Sequence, residues 1–132
     1  QKEVVNRLVA KPGSKAFGRL SVLTQWLCRA TSAFEIPASA FVPPPKVVSA
    51  VAVLTPHPSD QRPFDCSLKA LSTVTAALFN QRRKMLRQAI KGLGSHSLEI
   101  LTQSGIDPTK RPDALELEEF GQLARLYEAS LP

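Results

Sequence analysis

The chain has 132 residues, 43% of them apolar, with 17 Lys/Arg against 11 Asp/Glu. That length fits one ordinary domain or two small ones, and the apolar share is enough for a packed core, which excludes a disordered tail. No apolar run approaches the ~18–20 residues of a membrane-spanning helix. Residues 2–10 carry Val4, Val5, Leu8 and Val9 on one face at helical spacing. Glu3 and Arg7 stand four apart in the favourable order for an ion pair. Lys11-Pro12-Gly13-Ser14-Lys15 stops that helix. A second helix is predicted over residues 19–29, with Leu20, Leu23 and Leu27 turned inward and Trp26 a further candidate.

Thr31 to Ile36, stopped by Pro37, reads as a short strand. Val47 to Thr55 is a clearer one, apolar on both faces apart from Ser49. A strand of that kind belongs in a sheet covered on both sides, as in α/β proteins. The loop from Pro37 to Lys46 lets the two strands pair antiparallel. Two strands alone are marginal in water, so the rest of their sheet is expected elsewhere. Position 1 is not Met, and Gln1-Lys2-Glu3-Val4 reads as the inside of a helix, so the chain is expected to be part of something longer.

Between the strands lies Phe41-Val42-Pro43-Pro44-Pro45-Lys46. Proline fixes φ near about −65° and donates no backbone hydrogen bond, so three in a row predict a stiff, extended strut that holds Phe41 in place. A fixed aromatic can stack on a nucleobase. The same composition also suits a polyproline linker or a ligand for a partner, and the ring could simply anchor its loop.

Thr55 to Pro63 has the composition of a linker, and beyond it the pattern is helical. Helices are predicted over residues 67–91, over 95–104 with a stop at Gly105, and over 115–130. On the long helix, Leu68, Leu71, Thr75, Leu78, Phe79, Leu86 and Ile90 share one stripe. Lys69, Lys84, Arg87 and Lys91 fall on the far face within about 60° of one another, with Arg83 at the margin, and form a basic ridge suited to a phosphate backbone. Arg82 points into the apolar stripe. An unpaired buried charge is costly, so Arg82 is expected to be partly buried and paired with an acid or a carbonyl. A boundary near residues 56–65 divides the chain into an α/β portion (1–55), a linker (56–66) and an all-α portion (67–132).

Charge is unevenly spread. Residues 1–55 hold seven basic and two acidic side chains and residues 56–111 nine and four, whereas residues 112–132 hold one and five. A basic body with an acidic last helix suits a polyanionic partner plus internal pairing at the end. Cys28 and Cys66 have no Cys-x-x-Cys spacing and no histidine companions, as expected of unpaired thiols in a reducing compartment. His57 and His96 lie far apart in sequence without metal-ligand spacing and are expected at the surface. No glycine-rich phosphate loop or nucleophile elbow is present.

Five segments in order carry a family resemblance: Gln1-Lys2-Glu3-Val4, Gly18-Arg19-Leu20-Ser21-Val22, Phe41 to Ala50, Phe79-Asn80-Gln81-Arg82-Arg83-Lys84, and Arg111-Pro112 followed by Glu119-Phe120. Together they resemble the ribosomal RNA adenine dimethyltransferases, the bacterial small-subunit branch in particular, over essentially the whole chain. The resemblance implies a Rossmann-like methyltransferase domain, of which residues 1–55 are the C-terminal edge, followed by a small helical domain. It implies transfer of methyl groups from S-adenosylmethionine to adenine N6 near the 3′ end of small-subunit rRNA, in a cytoplasmic monomer acting on 30S precursor particles. The family's cofactor loop and Asn-Leu-Pro-Tyr motif have no counterpart among these residues, so S-adenosylmethionine is expected to bind outside them and the chain alone to be inactive. By the same resemblance Phe41 stacks on the target adenine, and Arg82, Arg83, Lys84, Arg87, Lys91 and Arg111 face RNA. Val48 departs from the family, which commonly carries a polar residue there. Related possibilities are a macrolide-resistance methyltransferase acting on large-subunit RNA and a non-catalytic nucleic-acid-binding protein, such as the mitochondrial transcription factors of this fold.

Overall fold

The structure is a computed structural model that describes residues 1–132. Helix α1 (Lys2–Val9) is followed by a turn in which Gly13 takes a left-handed φ of 86°. Helix α2 (Arg19–Leu27) begins at Gly18, whose N–H donates to Ser21 Oγ at 3.1 Å. The Ser21 hydroxyl donates in turn to the Arg7 carbonyl, which ties α2 to the end of α1. Strand β1 (Cys28–Ile36) continues directly from α2 and pairs antiparallel with β2 (Ser49–Pro56). The register runs from Cys28 opposite Pro56 to Ile36 opposite Ser49, with an irregularity between Ser32 and Phe34. Helix α1 packs against both strands and α2.

Two expectations hold only in part in this region. The fully buried positions of α2 are Ser21, Val22 and Trp26, and Leu23 and Leu27 pack partly buried against the same core, whereas Leu20 is 43% exposed. Trp26 sets the phase: its large ring enters the core, its indole N–H donates to the Phe64 carbonyl at 2.8 Å, and Leu20 lies about 120° away round the helix. The second strand is not covered on both sides, since Val53 and Leu54 remain nearly half exposed and Phe34 more so. Helices α1 and α2 cover only part of the pair, and no other element of residues 1–132 lies over its outer half.

The predicted 67–91 helix is also broken. Helix α3 (Leu68–Asn80) starts at Ser67, whose Oγ accepts the Ala70 N–H, and stops in a turn over residues 81–85. A four-residue helix α4 (Leu86–Ala89) and a 3-10 turn (Ile90–Leu93) follow. The break has a backbone cause. The N–H groups of Leu86 and Arg87 donate to the carbonyls of Lys110 and Pro108, at 2.6 and 3.0 Å, instead of closing a helical ladder. Helix α5 (Ser97–Ser104) ends at Gly105 with φ 66°, as its sequence predicts. Helix α6 (Leu117–Ser130) opens with Glu119 accepting the Glu116 N–H at 2.9 Å.

One apolar core draws on both sides of the 56–66 segment. Ala10, Phe17, Val22 and Trp26 join residues of α3, α4, α5 and α6 in the same cluster. Phe120 sits at its centre, 5.6 Å from the Phe79 ring and 6.2 Å from that of Phe17. Gly121 admits the Phe64 ring, which would lie 2.3 Å from a Cβ at that position.

Candidate nucleic-acid interface

Three loops meet at the C-terminal end of α1. The Arg82 guanidinium bonds the Lys15 carbonyl and lies 3.7 Å from the Asp113 carboxylate, with both side chains about one-third exposed. The Gly13 N–H donates to the Asp113 carbonyl at 2.7 Å, and the Leu86 N–H reaches Lys110. The loops 11–18, 81–87 and 108–114 are thereby knitted together. Arg82 is partly buried and held by a carbonyl and an acid, as its place in the apolar stripe required.

Around this knot, Lys11, Lys15, Arg83, Lys84, Arg87 and Arg111 are exposed and make no ion pair. Five of the other cations are committed elsewhere, Arg19 to Ser72, Lys110 to Glu119, Arg125 to the Asp65 carbonyl, Lys2 to Glu35 and Arg7 to Glu3, while Arg29, Lys46, Lys69 and Lys91 are exposed without an ion pair but do not lie on the three loops. The straight ridge expected from helical periodicity does not form. Lys69 belongs to α3, Lys84 to the turn, Arg87 to α4 and Lys91 to the 3-10 turn. A cluster of cations on three loops takes its place. Lys11 and Lys15 were missed in the sequence, where the segment reads only as a helix stop; their bracketing of a Pro-Gly turn was the available signal.

Phe41 occupies a different part of the molecule. It follows a 3-10 turn (Ala38–Ala40), is 41% exposed, and lies in a run of exposed residues from Ser39 through Val48. The chain bends at residues 41–43, where the Val42–Pro43 peptide is cis, and again at 46–47, so the proline run is not one straight strut. Its far end is fixed, because the Lys2 N–H donates to the Val48 carbonyl at 3.0 Å. Phe41 thus lies toward the start of α1 and the cationic loops at its other end, an eight-residue helix of about 12 Å between them. The exposure of 41–48 is also what a docking ligand would show.

The two histidines are peripheral, with His96 exposed beside Glu99. No group of His, Cys, Asp and Glu is arranged to hold a metal, and no helix is long and apolar enough to cross a membrane. Both cysteines are free thiols. Burial pushes the Cys66 thiol from its ordinary 9.0 up to about 11, with nearby Arg125 opposing the shift. The folded chain therefore holds this proton more tightly than the unfolded chain. Its contribution to stability is full below pH about 9 and is lost as pH rises toward about 11. Iodoacetamide at pH 9 should label Cys66 much more slowly in the folded protein than in urea; equal rates by mass spectrometry would contradict the burial argument.

Comparison with known proteins decides the family. Residues 1–129 match the ribosomal RNA adenine dimethylase family. The chain belongs to it. It is similar to the ribosomal RNA small subunit methyltransferase A of Zymomonas mobilis, 52% identical over 97% of this chain and 45% of that protein. The protein of the same name from Klebsiella pneumoniae is 46% identical over all of this chain and 47% of its own length. The chain spans about half the length of the curated relatives it matches. A dimethyladenosine transferase from Plasmodium falciparum shares the fold, with a TM-score of 0.84 at 22% identity over 98% of this chain and 55% of that one. The 23S rRNA methyltransferase ErmE superposes less closely, with a TM-score of 0.60 at 16% identity over 97% of this chain and 52% of that one.

The family's chemistry calls for S-adenosylmethionine, and residues 1–132 do not fit that group. No glycine follows either strand, and the sheet is one antiparallel pair without the crossover crevice in which α/β folds bind nucleotide-like cofactors.

Proposed function

We propose that this chain supplies the RNA-gripping portion of an S-adenosylmethionine-dependent enzyme that dimethylates adenine N6 near the 3′ end of small-subunit rRNA during ribosome biogenesis. Family membership supports the reaction class. The observation that carries the chain's own role is the cluster of unpaired cations on the knitted loops. Arg83, Lys84, Arg87 and Arg111 contact RNA phosphates there, with Lys91 at the margin, and Arg82 acts from beneath by holding the loops in place. The cofactor binds outside residues 1–132, and the chain alone transfers no methyl group. Residues 1–55 act as the edge of the catalytic domain and 67–132 as the helical domain, joined by 56–66. The enzyme works as a cytoplasmic monomer on the 30S precursor.

Charge reversal tests the surface. Lys84→Glu and Arg87→Glu should each weaken binding to a small-subunit rRNA fragment and flatten the log–log salt dependence by about one for each phosphate no longer neutralised. An unchanged slope in both variants would remove these residues from the RNA surface.

Phe41 forms one wall of the adenine pocket, where its exposed ring stacks on a base extruded from the helix. A stacked base is worth about 1–3 kcal/mol on truncation of the aromatic. With RNA carrying 2-aminopurine at the target position, Phe41→Ala should relieve fluorescence quenching and weaken binding by about fivefold or more. Quenching that survives the substitution would assign the proline run to partner docking instead.

A further inference from the structure

A groove of about 620 Å³ lies between the C-terminal end of α3 and the α4/3-10 segment. That volume falls within the roughly 300–1,000 Å³ of ordinary small-molecule sites. Its floor is small and flat because Gly92 lets the 3-10 turn approach α3, where a Cβ would come within 3.3 Å of the Ala77 methyl. Its rim is polar. The side-chain amides of Asn80, Gln81 and Gln88 line it, exposed and without hydrogen-bond partners in the chain, together with the Lys91 ammonium. No carboxylate lines the groove. The turn that joins its two walls carries the unpaired Arg83 and Lys84, and Arg87 directly precedes Gln88.

We propose that this groove holds one unpaired nucleotide of RNA, its base edge read by the amides of Asn80, Gln81 and Gln88 and its phosphate held by Lys91. Each amide offers both a donor and an acceptor, which is what the edge of an unstacked base requires. The alanine methyls of the floor take the face of the base without competing polar groups. The adjoining cations favour a nucleic acid over a neutral peptide, because they place positive charge on both sides of the reading groups. This inference rests on the RNA-binding reading above and adds to it a site that selects an unpaired base rather than a paired stem.

The test uses the 132-residue chain with two RNAs, a stem carrying a single bulged nucleotide and the same stem fully paired. The chain should prefer the bulged RNA by about fivefold or more, within the range set by hydrogen bonds to one base edge. Gln88→Ala and Asn80→Ala, both at exposed positions, should abolish that preference and leave the salt slope unchanged. Lys91→Gln should reduce the slope by about one. A wild-type chain that binds both RNAs equally, or a preference that survives both amide substitutions, overturns the groove and leaves the cationic surface standing. Equal weakening for both RNAs with a reduced slope would make the amide positions mere phosphate neighbours and equally overturn base reading. No binding of either RNA would overturn the RNA-binding reading and the groove together.

Discussion

Phe120→Ala should lower the unfolding free energy by about 3–5 kcal/mol, the usual cost of emptying a fully buried aromatic site. The ring has no exposure and is stacked at 21° on Phe79. Phe17, from the loop before α2, closes the other side. Collapse of the void would require α6 to move toward both α3 and the 11–18 loop, and those are fixed by Arg82 and the Gly13 hydrogen bond. A domain's whole stability is about 5–15 kcal/mol, so the loss is a large part of it. Because the core crosses the 56–66 segment, Trp26 fluorescence and far-UV circular dichroism should report one coincident urea transition. A loss below about 1 kcal/mol, or two separated transitions, would contradict a shared core.

Arg82→Ala should cost about 2 kcal/mol, in keeping with a hydrogen bond made by a charged group together with its carboxylate neighbour. The substitution leaves the Lys15 carbonyl without its donor and Asp113 without its cation. Arg82→Lys should recover only part of the loss, since an ammonium lacks the guanidinium fork that reaches both acceptors. The same variants separate two roles for this residue. If Arg82 holds the loops, RNA affinity falls in Arg82→Ala with the salt slope nearly intact. A slope reduced by about one would instead make Arg82 a direct phosphate ligand.

The parts of the fold that depend on local chemistry were legible in the sequence. Gly105 stops α5 because it can adopt the left-handed conformation, and the Lys11-Pro12-Gly13 segment ends α1. Arg82 was legible for an energetic reason: a charge in an apolar stripe needs a partner, although nothing local pointed to Lys15 or Asp113. What remained hidden depends on distant backbone. Leu86 and Ile90 fall in register with Leu71 and Leu78, so periodicity alone draws one helix through residues 81–85. The carbonyls of Pro108 and Lys110 take the amides that such a helix would need. The proposed interface follows the same rule. Arg83, Lys84, Arg87 and Arg111 could be named from sequence, but the loops that gather them, with Lys11 and Lys15, are joined only by long-range hydrogen bonds. On α2, Leu23, Trp26 and Leu27 face the core as their spacing predicts, and only Leu20, about 120° round the helix from Trp26, turns to solvent.

The RNA surface is tested most directly by the salt dependence with which residues 1–132 bind a small-subunit rRNA 3′ fragment. Four or five of the unpaired cations engaging phosphates predict a log–log slope of about −3 to −4, and a slope shallower by about one in Lys84→Glu. A slope near zero, or one that the substitution leaves unchanged, would contradict the assignment of the knitted loops to RNA.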